Sequence, residues 1–227
     1  MKRTAMHAAA VSTTVVLGLL VSTGARAQEL NLGALDQAQN RVSVRTGAEY
    51  GFVAGVGYAR VVPFLDRQLV LTSDFTLPWA GLDLSDYRLR VGAVMPIVGA
   101  RRWKLAGSIA PTVRGTKNDI SRMTDVGADI GLVGGYYAPR WFAAGELGFD
   151  WAMTTYLAHS DAYRSTVYAG ARDGWYANPG GNLRAGLQGG VSFGRYDVVL
   201  RVGAVRDTSG EPPLLPFYGT LAFDTRW

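Results

Sequence analysis

Apolar and polar side chains alternate with a period of two along most of this chain, from residue 41 to the carboxyl terminus. In residues 87–95 one face is apolar, and the other carries Arg88 and Arg90. Residues 141–151 repeat this alternation, with aromatic and aliphatic side chains opposite a face that includes two carboxylates. Successive side chains of an extended strand point to opposite faces, so this period predicts strands with one apolar and one polar face.

The sequence predicts ten such strands, at residues 41–50, 52–62, 68–77, 86–96, 103–114, 124–137, 141–153, 182–194, 196–206 and 217–227. Strands of about ten residues with this pattern, separated by turn residues, are typical of transmembrane β-barrels. We therefore predict an all-β fold, a transmembrane antiparallel up-and-down β-barrel. The turn near Tyr50 and Gly51 is weakly marked. Because bacterial single-chain barrels have even strand numbers, we expect ten strands, with eight as the alternative.

The predicted connections alternate in length. Short ones fall at residues 63–67, 98–102, 139–140 and 195, and long polar ones at 78–85, 115–123, 154–181 and 207–216. Outer-membrane barrels combine short periplasmic turns with longer extracellular loops in this way. The alternative architecture is a soluble, secreted β-barrel binding protein, in which the apolar face would point inward.

Aromatic residues cluster near both ends of the predicted strands. At the short turns these are Trp103, Tyr136, Trp141, Tyr196 and Trp227, and toward the opposite end Tyr50, Trp79, Tyr87, Phe149 and Trp151. Aromatic rings with one polar edge favour the membrane–water interface, so two bands are expected of a membrane barrel.

The amino terminus has the features of an export signal. Lys2 and Arg3 precede an apolar or small stretch at residues 8–21, and a small-x-small cleavage site ends at Ala27. We predict a cleaved signal peptide at residues 1–27, a short periplasmic lead-in at 28–40 and a barrel at 41–227. The chain has no cysteine, so it requires no disulfide after export.

Composition argues against a nucleic-acid partner. The full chain has 23 basic and 18 acidic residues, but three of the basic ones, Lys2, Arg3 and Arg26, belong to the predicted signal. The mature chain of 200 residues would therefore carry a net charge of about +2. That length suits one domain.

The last strand carries a family resemblance. Phe217, Leu221, Phe223 and Trp227 share one face, and an aromatic residue ends the chain. This resembles the carboxy-terminal assembly signal of outer-membrane β-barrel proteins, in which Phe is the usual last residue. The resemblance implies the outer membrane of a Gram-negative bacterium, contact with outer-membrane lipid and lipopolysaccharide, and recognition by the outer-membrane assembly machinery. It identifies no subfamily and leaves the oligomeric state open.

Charged residues of both signs fall on the face that would line the barrel. The basic ones are Arg41, Arg45, Arg88, Arg90, Lys104, Arg114, Arg184, Arg201 and Arg226, and the acidic ones are Glu49, Asp74, Asp86, Asp125, Asp129, Glu146, Asp150, Asp197 and Asp224. Unpaired buried charge is costly, so we expect ion pairs, such as Arg88 or Arg90 with Asp74. Ten strands enclose a narrow interior. The sequence therefore predicts a structural barrel or a narrow passive channel for small solutes.

The longest loop contains the only histidine of the predicted mature chain, within His159-Ser160-Asp161, above Asp150. A serine activated by a histidine and a carboxylate hydrolyses esters, and lipid A deacylases and rim proteases of the outer membrane resemble this set in residue types. Here the histidine and serine are adjacent, which would point them apart in a strand. We favour no enzymatic activity, no cofactor and no metal, with a hydrolase as the alternative. The same loop offers a candidate binding surface at Tyr163, Arg164, Tyr168, Arg172, Trp175 and Tyr176.

Overall fold

Ten antiparallel strands close into a barrel in the computed structural model, which describes residues 29–79, 84–177, 180–208, 213 and 215–227. The described residues form these ten strands and one further short strand, β8: β1 (Asn40–Ala48), β2 (Phe52–Phe64), β3 (Arg67–Pro78), β4 (Tyr87–Ala100), β5 (Trp103–Lys117), β6 (Ser121–Tyr137), β7 (Trp141–His159), β8 (Gly174–Ala177), β9 (Gly181–Phe193), β10 (Tyr196–Asp207) and β11 (Phe217–Arg226). Neighbouring strands pair in chain order, β7 pairs with β9, and β1 pairs with β11 to close the ring. The predicted ten-stranded barrel is confirmed, and the eight-stranded alternative is wrong.

The short strand β8 lies outside the ring, where it pairs with the upper part of β7. Strands β6 and β7 extend beyond their predicted ends and remain paired as far as Ser121 and His159. A helix, α1 (Asp161–Thr166), follows β7 directly. Much of the region predicted as the longest loop is therefore regular structure. A bulge between Val126 and Gly127 shifts the register there, which breaks the period of two on which the prediction depended.

The two faces of the barrel wall differ sharply in chemistry. Leu147 and Leu200 are 57% and 55% exposed on the outer face, whereas Arg88 and Arg201 are 1% and 0% exposed inside. A soluble barrel has the opposite arrangement, with an apolar interior. Among the described residues, no helix has the length and apolar character needed to cross a membrane.

The barrel has two distinct ends. The short-turn end carries the turns at residues 65–66, 101–102, 138–140 and 194–195, together with Trp227. The opposite, long-loop end carries α1 and β8.

Residues 29–37 fold into the barrel at the short-turn end. They include a 3₁₀ helix (Leu32–Gln37), whose first turn is capped by the side chain of Asn31. We call residues 29–37 the plug segment. Residues 28–40 were predicted to be a short periplasmic lead-in, whereas residues 29–37 of this stretch pack inside the barrel. Three leucines of the segment are buried among wall residues instead of facing solvent. The predicted signal peptide and Gln28 lie outside the described residues.

Candidate functional site in the barrel lumen

An apolar ring lines the lumen near the short-turn end. Eight strands contribute small or β-branched side chains, namely Ala59, Val70, Val94, Ala106, Val133, Ala144, Val199 and Ala222. Leu30, Leu32 and Leu35 of the plug segment pack against this ring and are 4%, 0% and 6% exposed. Burial of a leucine side chain contributes roughly 1.5–3 kcal/mol, so the three leucines hold the segment in place. Small wall residues leave the space that these larger side chains fill.

Polar contacts fix the position of the plug segment. The Lys104 ammonium donates a hydrogen bond to the carbonyl oxygen of Leu32 at 2.7 Å. The Asn31 amide donates to the Ser192 hydroxyl at 2.9 Å. Arg226 donates to Gln37 at 2.7 Å, Gln68 to Asp36 at 2.7 Å, and Thr220 to Glu29 at 2.7 Å. The structure thus places Lys104, a predicted member of the lumen charge network, on the plug backbone.

Above the apolar ring, Arg201 of β10 and Glu146 of β7 form the most buried ion pair. Their two hydrogen bonds are 2.6 Å and 3.0 Å long, and both side chains are 0% exposed. The hydroxyl of Tyr218 also donates to Glu146. Two parallel bonds between a guanidinium and a carboxylate are strong and directional. Because β9 separates the two strands, this pair braces the wall across a neighbour.

Two further pairs also join strands that are not adjacent. Arg184 of β9 donates to Asp129 of β6 at 2.7 Å, and Arg88 of β4 donates to Asp150 of β7 at 2.7 Å. A Cβ atom at Gly148 would collide with the Arg184 guanidinium, so the absence of a side chain there lets Arg184 lie flat on the wall. These pairs project into the lumen and narrow it.

Arg90 links a second run of charges. Its Nε donates to Asp74 at 3.1 Å, and its Nη1 lies 3.8 Å from Asp129. Arg45 contacts the other oxygen of Asp74. The expected pairing of Arg90 with Asp74 is observed, whereas Arg88 pairs with Asp150 and not with Asp74. The run crosses the lumen wall from β1 through β3 and β4 to β6.

A separate ion cluster lies beside the strand pair that closes the barrel. Arg41 of β1 lies 3.3 Å from Asp224 and 3.4 Å from Asp197. Arg226 lies 3.0 Å from Asp197. Charges of both signs are buried here, where the first and last strands meet.

The remaining predicted lumen residues lie toward the long-loop end. Asp125 accepts a 2.5 Å hydrogen bond from Thr155, and Glu49 is 2% exposed. Arg114 lies over the ring of Tyr50, 5.2 Å from its centroid. We expected Tyr50 in the outer aromatic band, and this is wrong, because the ring is 8% exposed and covers the lumen. The tight turn after β1 directs it inward.

The side chains of the lumen leave little free volume. A cavity of about 50 Å³ lies among Arg88, Arg114 and Asp150, and one of about 20 Å³ lies beside Glu29 and Arg45. Such spaces hold a few water molecules but not a hydrated solute. The plug segment and the ion pairs together occupy much of the described lumen.

The structure separates the four residues of the hydrolase alternative. The His159 ring lies 3.2 Å from Asp173, not beside Asp161 or Asp150. Ser160 caps α1, where its hydroxyl accepts from the Tyr163 amide at 3.1 Å. That hydroxyl also donates to the Asp119 carbonyl at 2.8 Å, and Asp150 is held by Arg88 inside the lumen. The serine is thus engaged in helix capping and does not contact the histidine as a nucleophile would.

Asp173 orders this end of the molecule, and the sequence analysis missed it. Its carboxylate accepts hydrogen bonds from the His159 backbone amide at 2.8 Å and from the Arg164 guanidinium at 2.6 Å. These two bonds lower the pKa of Asp173 to about 2. The hydrogen bond to Asp173 also raises the pKa of Arg164. The carboxylate is therefore charged at neutral pH and ties the segment before β8 to the end of β7.

The predicted binding loop divides into two groups. Tyr163 is 9% exposed and stacks on His159, and Arg164 is engaged with Asp173. Tyr168, Trp175 and Tyr176 are 60%, 59% and 43% exposed, and Arg172 is also exposed. Only the second group is available to a ligand.

An additional exposed group lies on the outer face of β5, β6 and β7. Lys117 and Arg122 are register partners on adjacent strands, and both are exposed. One step lower on the same face, the rings of Tyr156 and Trp175 meet edge to face at 5.4 Å. Like charges directly opposite each other destabilise a strand pair, so this arrangement favours an anionic ligand. The period of two could have indicated it, had β6 and β7 been extended to their full length.

The residues of the predicted assembly signal face outward. Phe217, Leu221, Phe223 and Trp227 are 54%, 37%, 57% and 58% exposed. The backbone of Trp227 exchanges two hydrogen bonds with Asn40, at 3.0 Å and 3.1 Å. The last residue thus pairs with the first residue of β1 and completes the closing strand pair.

Comparison with solved structures shows the class of fold. The COG4313 outer membrane channel from Pseudomonas putida F1 superposes with a TM-score of 0.52 and 12% sequence identity, covering 84% of this chain and 96% of that one. The beta domain of the Bordetella autotransporter Brka is 13% identical, with a TM-score of 0.39, over 84% of this chain and 99% of that one. No protein-family model and no curated protein matches the sequence. The chain therefore has the fold of an outer-membrane β-barrel.

Proposed function

We propose that this protein is an integral outer-membrane barrel of a Gram-negative bacterium that acts as a narrow passive channel for small solutes and is closed at rest by its plug segment. The observation that carries the proposal is the burial of Leu30, Leu32 and Leu35 inside a barrel whose outer face is apolar. The shared fold with an outer membrane channel supports the transmembrane setting.

The plug segment is suited to leave and return as a unit. With cleavage after Ala27, it would form the amino-terminal end of the mature chain, joined to the barrel only through β1. Its contacts with the wall are three leucine side chains and a few hydrogen bonds. Their combined strength is several kcal/mol, which keeps the closed state dominant without making it permanent.

The lumen above the plug segment sets the size of any solute. The pairs Arg201–Glu146 and Arg184–Asp129 project from the wall and stay in place when the segment leaves. Both signs of charge are present in similar number, so ion selectivity would be weak. We therefore expect small, intermittent conductance.

Single-channel recording in planar bilayers tests this proposal. Wild type is compared with Leu32→Ala/Leu35→Ala, which weakens the plug contacts, and with Leu32→Met/Leu35→Met, which keeps their volume. We expect rare openings in wild type and in the methionine control, and frequent openings in the alanine variant. Absence of conductance in all three chains would favour a purely structural barrel. A large, steady wild-type conductance equal to that of the alanine variant would show that the lumen is already open.

We also propose that the long-loop end binds outer-leaflet lipopolysaccharide. Lys117 and Arg122 supply the charge, and Tyr156 and Trp175 offer flat surfaces for sugar rings. Purified lipopolysaccharide should bind Lys117→Gln/Arg122→Gln more weakly than wild type. Arg60→Gln/Arg206→Gln, which removes two exposed cations on other strands, is the control for net charge and should bind as wild type does. Equal binding by all three chains would reject this surface.

His159 then has an ordering role and not a catalytic one. Its backbone and ring hold Asp173, and its ring stacks on Tyr163 at 5.3 Å. Lipid A acylation and peptide cleavage should not differ between wild type and His159→Ala. A hydrolytic activity that disappears in the variant would restore the enzyme alternative.

A further inference from the structure

Arginine recurs in the turns of the short-turn end. The turn at residues 101–102 consists of Arg101 and Arg102, and the turns at 138–140 and 194–195 end in Arg140 and Arg195. All four side chains are exposed. Near the fourth turn, Arg67 donates to two carbonyl oxygens of β4 at 2.8 Å and 3.3 Å, beside the bulge there. Because Arg67 is bound to backbone carbonyl oxygens of the wall, we restrict the group to the other four, which we call the arginine rim.

The arginine rim is not balanced by acid at the same level. The exposed acids at this end are Asp66 in the turns and Asp36 of the plug segment, against the four exposed arginines of the rim. At the long-loop end Arg164 is paired with acids, since it lies 3.6 Å from Asp161 and 2.6 Å from Asp173. The concentration of one sign at one end indicates an anionic partner on that side.

Aromatic contacts set the depth of the arginine rim. Trp103, Tyr136 and Trp141 form a chain of rings with centroids 5.6 Å and 5.4 Å apart. Arg102 donates to the Tyr136 hydroxyl at 2.9 Å, and Arg195 donates to the Tyr196 hydroxyl at 2.9 Å. Such rings lie at the level of lipid headgroups, so the attached guanidinium groups reach the headgroup phosphates.

We propose that the arginine rim binds the phosphates of anionic phospholipids in the leaflet that faces the short turns. The four arginines, placed in three turns of the barrel, would collect a shell of these lipids, held by bidentate guanidinium–phosphate contacts. The inference rests on the membrane orientation proposed above and is independent of channel activity. Each arginine near an anionic membrane surface contributes roughly a fivefold increase in affinity.

The tryptophans of the two ends provide a local probe of lipid composition. Trp103, Trp141 and Trp227 lie at the short-turn end, and Trp79, Trp151 and Trp175 lie toward the other. The short-turn reporter keeps the first three tryptophans and carries Phe at the other three positions. The long-loop reporter keeps the second three and carries Phe at the first three positions. Each is reconstituted in phosphatidylcholine vesicles that contain a minor fraction of brominated phosphatidylglycerol, or brominated phosphatidylcholine for comparison, and fluorescence quenching is measured.

We expect brominated phosphatidylglycerol to quench the short-turn reporter several-fold more efficiently than brominated phosphatidylcholine does. We call this ratio the preference, and we expect it to be smaller for the long-loop reporter. In the short-turn reporter, Arg101→Gln/Arg102→Gln/Arg140→Gln/Arg195→Gln should abolish the preference. Replacement of the same four residues by Lys should retain part of it. The matched control, Lys117→Gln/Arg122→Gln/Arg172→Gln/Arg206→Gln, removes four exposed cations at the opposite end and should leave the preference intact.

The outcomes separate the possible failures. Equal quenching of the short-turn reporter by the two brominated lipids would overturn the lipid shell. Loss of preference in the control as well as in the rim variant would also overturn it, because net charge alone would then explain the effect. Absence of quenching by either lipid would instead contradict the membrane setting. Should the fourfold variant fail to fold, Arg140→Gln and Arg195→Gln alone should each remove part of the preference.

Discussion

The two halves of the lumen are closed by different means. Near the short-turn end, leucines of a separate segment fill an apolar ring, whereas toward the long-loop end arginines and carboxylates of the wall itself meet across the interior. Separating the packed leucines from the ring costs only the free energy of exposing their apolar surface, so these contacts can break and form again. Buried ion pairs between strands cannot separate without leaving charge unmatched. Under the proposed function, the half that holds the plug segment would open, and the half that holds the ion pairs would be permanent.

The largest expected effect lies in the permanent half. Glu146→Ala leaves the guanidinium of Arg201 buried without its main partner and should lower the free energy of unfolding by about 3–5 kcal/mol. Urea titration of the reconstituted barrel, followed by tryptophan fluorescence, measures this. Asp161→Ala, which removes an exposed partner of Arg164, is the control and should leave the midpoint unchanged. Equal midpoints for wild type and Glu146→Ala would remove the distinction between the halves.

The next effect lies in the half that opens. Leu32→Ala should weaken docking of the plug segment by about 2–5 kcal/mol, because Leu32 is fully buried in the ring. The open population would then rise at least about 30-fold. Hydrogen exchange of the plug amides reports it, and Leu32→Met, which keeps the side-chain volume, should exchange as wild type does. Faster exchange throughout the barrel would show that the segment supports the wall and is not a separate unit.

The contact between Trp227 and Asn40, at the short-turn end of the closing strand pair, offers a third test. Deletion of Trp227 removes two backbone hydrogen bonds to Asn40, each worth about 0.5–1.5 kcal/mol, and also removes the terminal aromatic ring. We expect less heat-modifiable barrel in membranes. Trp227→Phe keeps both backbone bonds and an aromatic ring, and should assemble normally. Normal assembly of the truncated chain would count against the assembly signal.

The smallest effect concerns the loop cluster above the permanent half. The pKa of Asp173 is lowered to about 2, so its contribution to local stability is present above the ordinary Asp pKa and is lost as the pH falls toward 2. Trp175 fluorescence should therefore change between about pH 4 and pH 2. Asp173→Asn should give the low-pH signal at every pH. An unchanged signal between pH 4 and pH 2 would contradict this role for Asp173.

Sequence reasoning succeeded where strands are regular. The period of two in β4 placed Arg88 and Arg90 inside, and the direct register of Arg90 with Asp74 on the next strand makes that pair foreseeable. It could not foresee Arg88 with Asp150, because their strands are not adjacent and their proximity depends on the curvature and stagger of the closed barrel.

The plug segment escaped sequence reasoning for a different reason. Leu30, Leu32 and Leu35 stand in a short polar stretch with no strand period, and nothing local indicates which surface would bury them. The apolar ring that receives them is assembled from eight strands and exists only in the closed barrel. Tyr50 was misplaced because a turn residue obeys neither face of the alternation.

A reversible lock tests most directly whether the plug segment closes the channel. The chain has no native cysteine, and a Cβ at Gly33 would lie 3.1 Å from Cβ of Tyr137, so a small shift allows a disulfide. In a Leu32→Ala background, Gly33→Cys/Tyr137→Cys should give silent bilayers when oxidised and frequent small openings after reduction. The conductance of the control variant Leu32→Ala/Tyr137→Cys should not change when the reductant is added. Equal conductance before and after reduction in the double-cysteine chain would contradict a closing role for the plug segment.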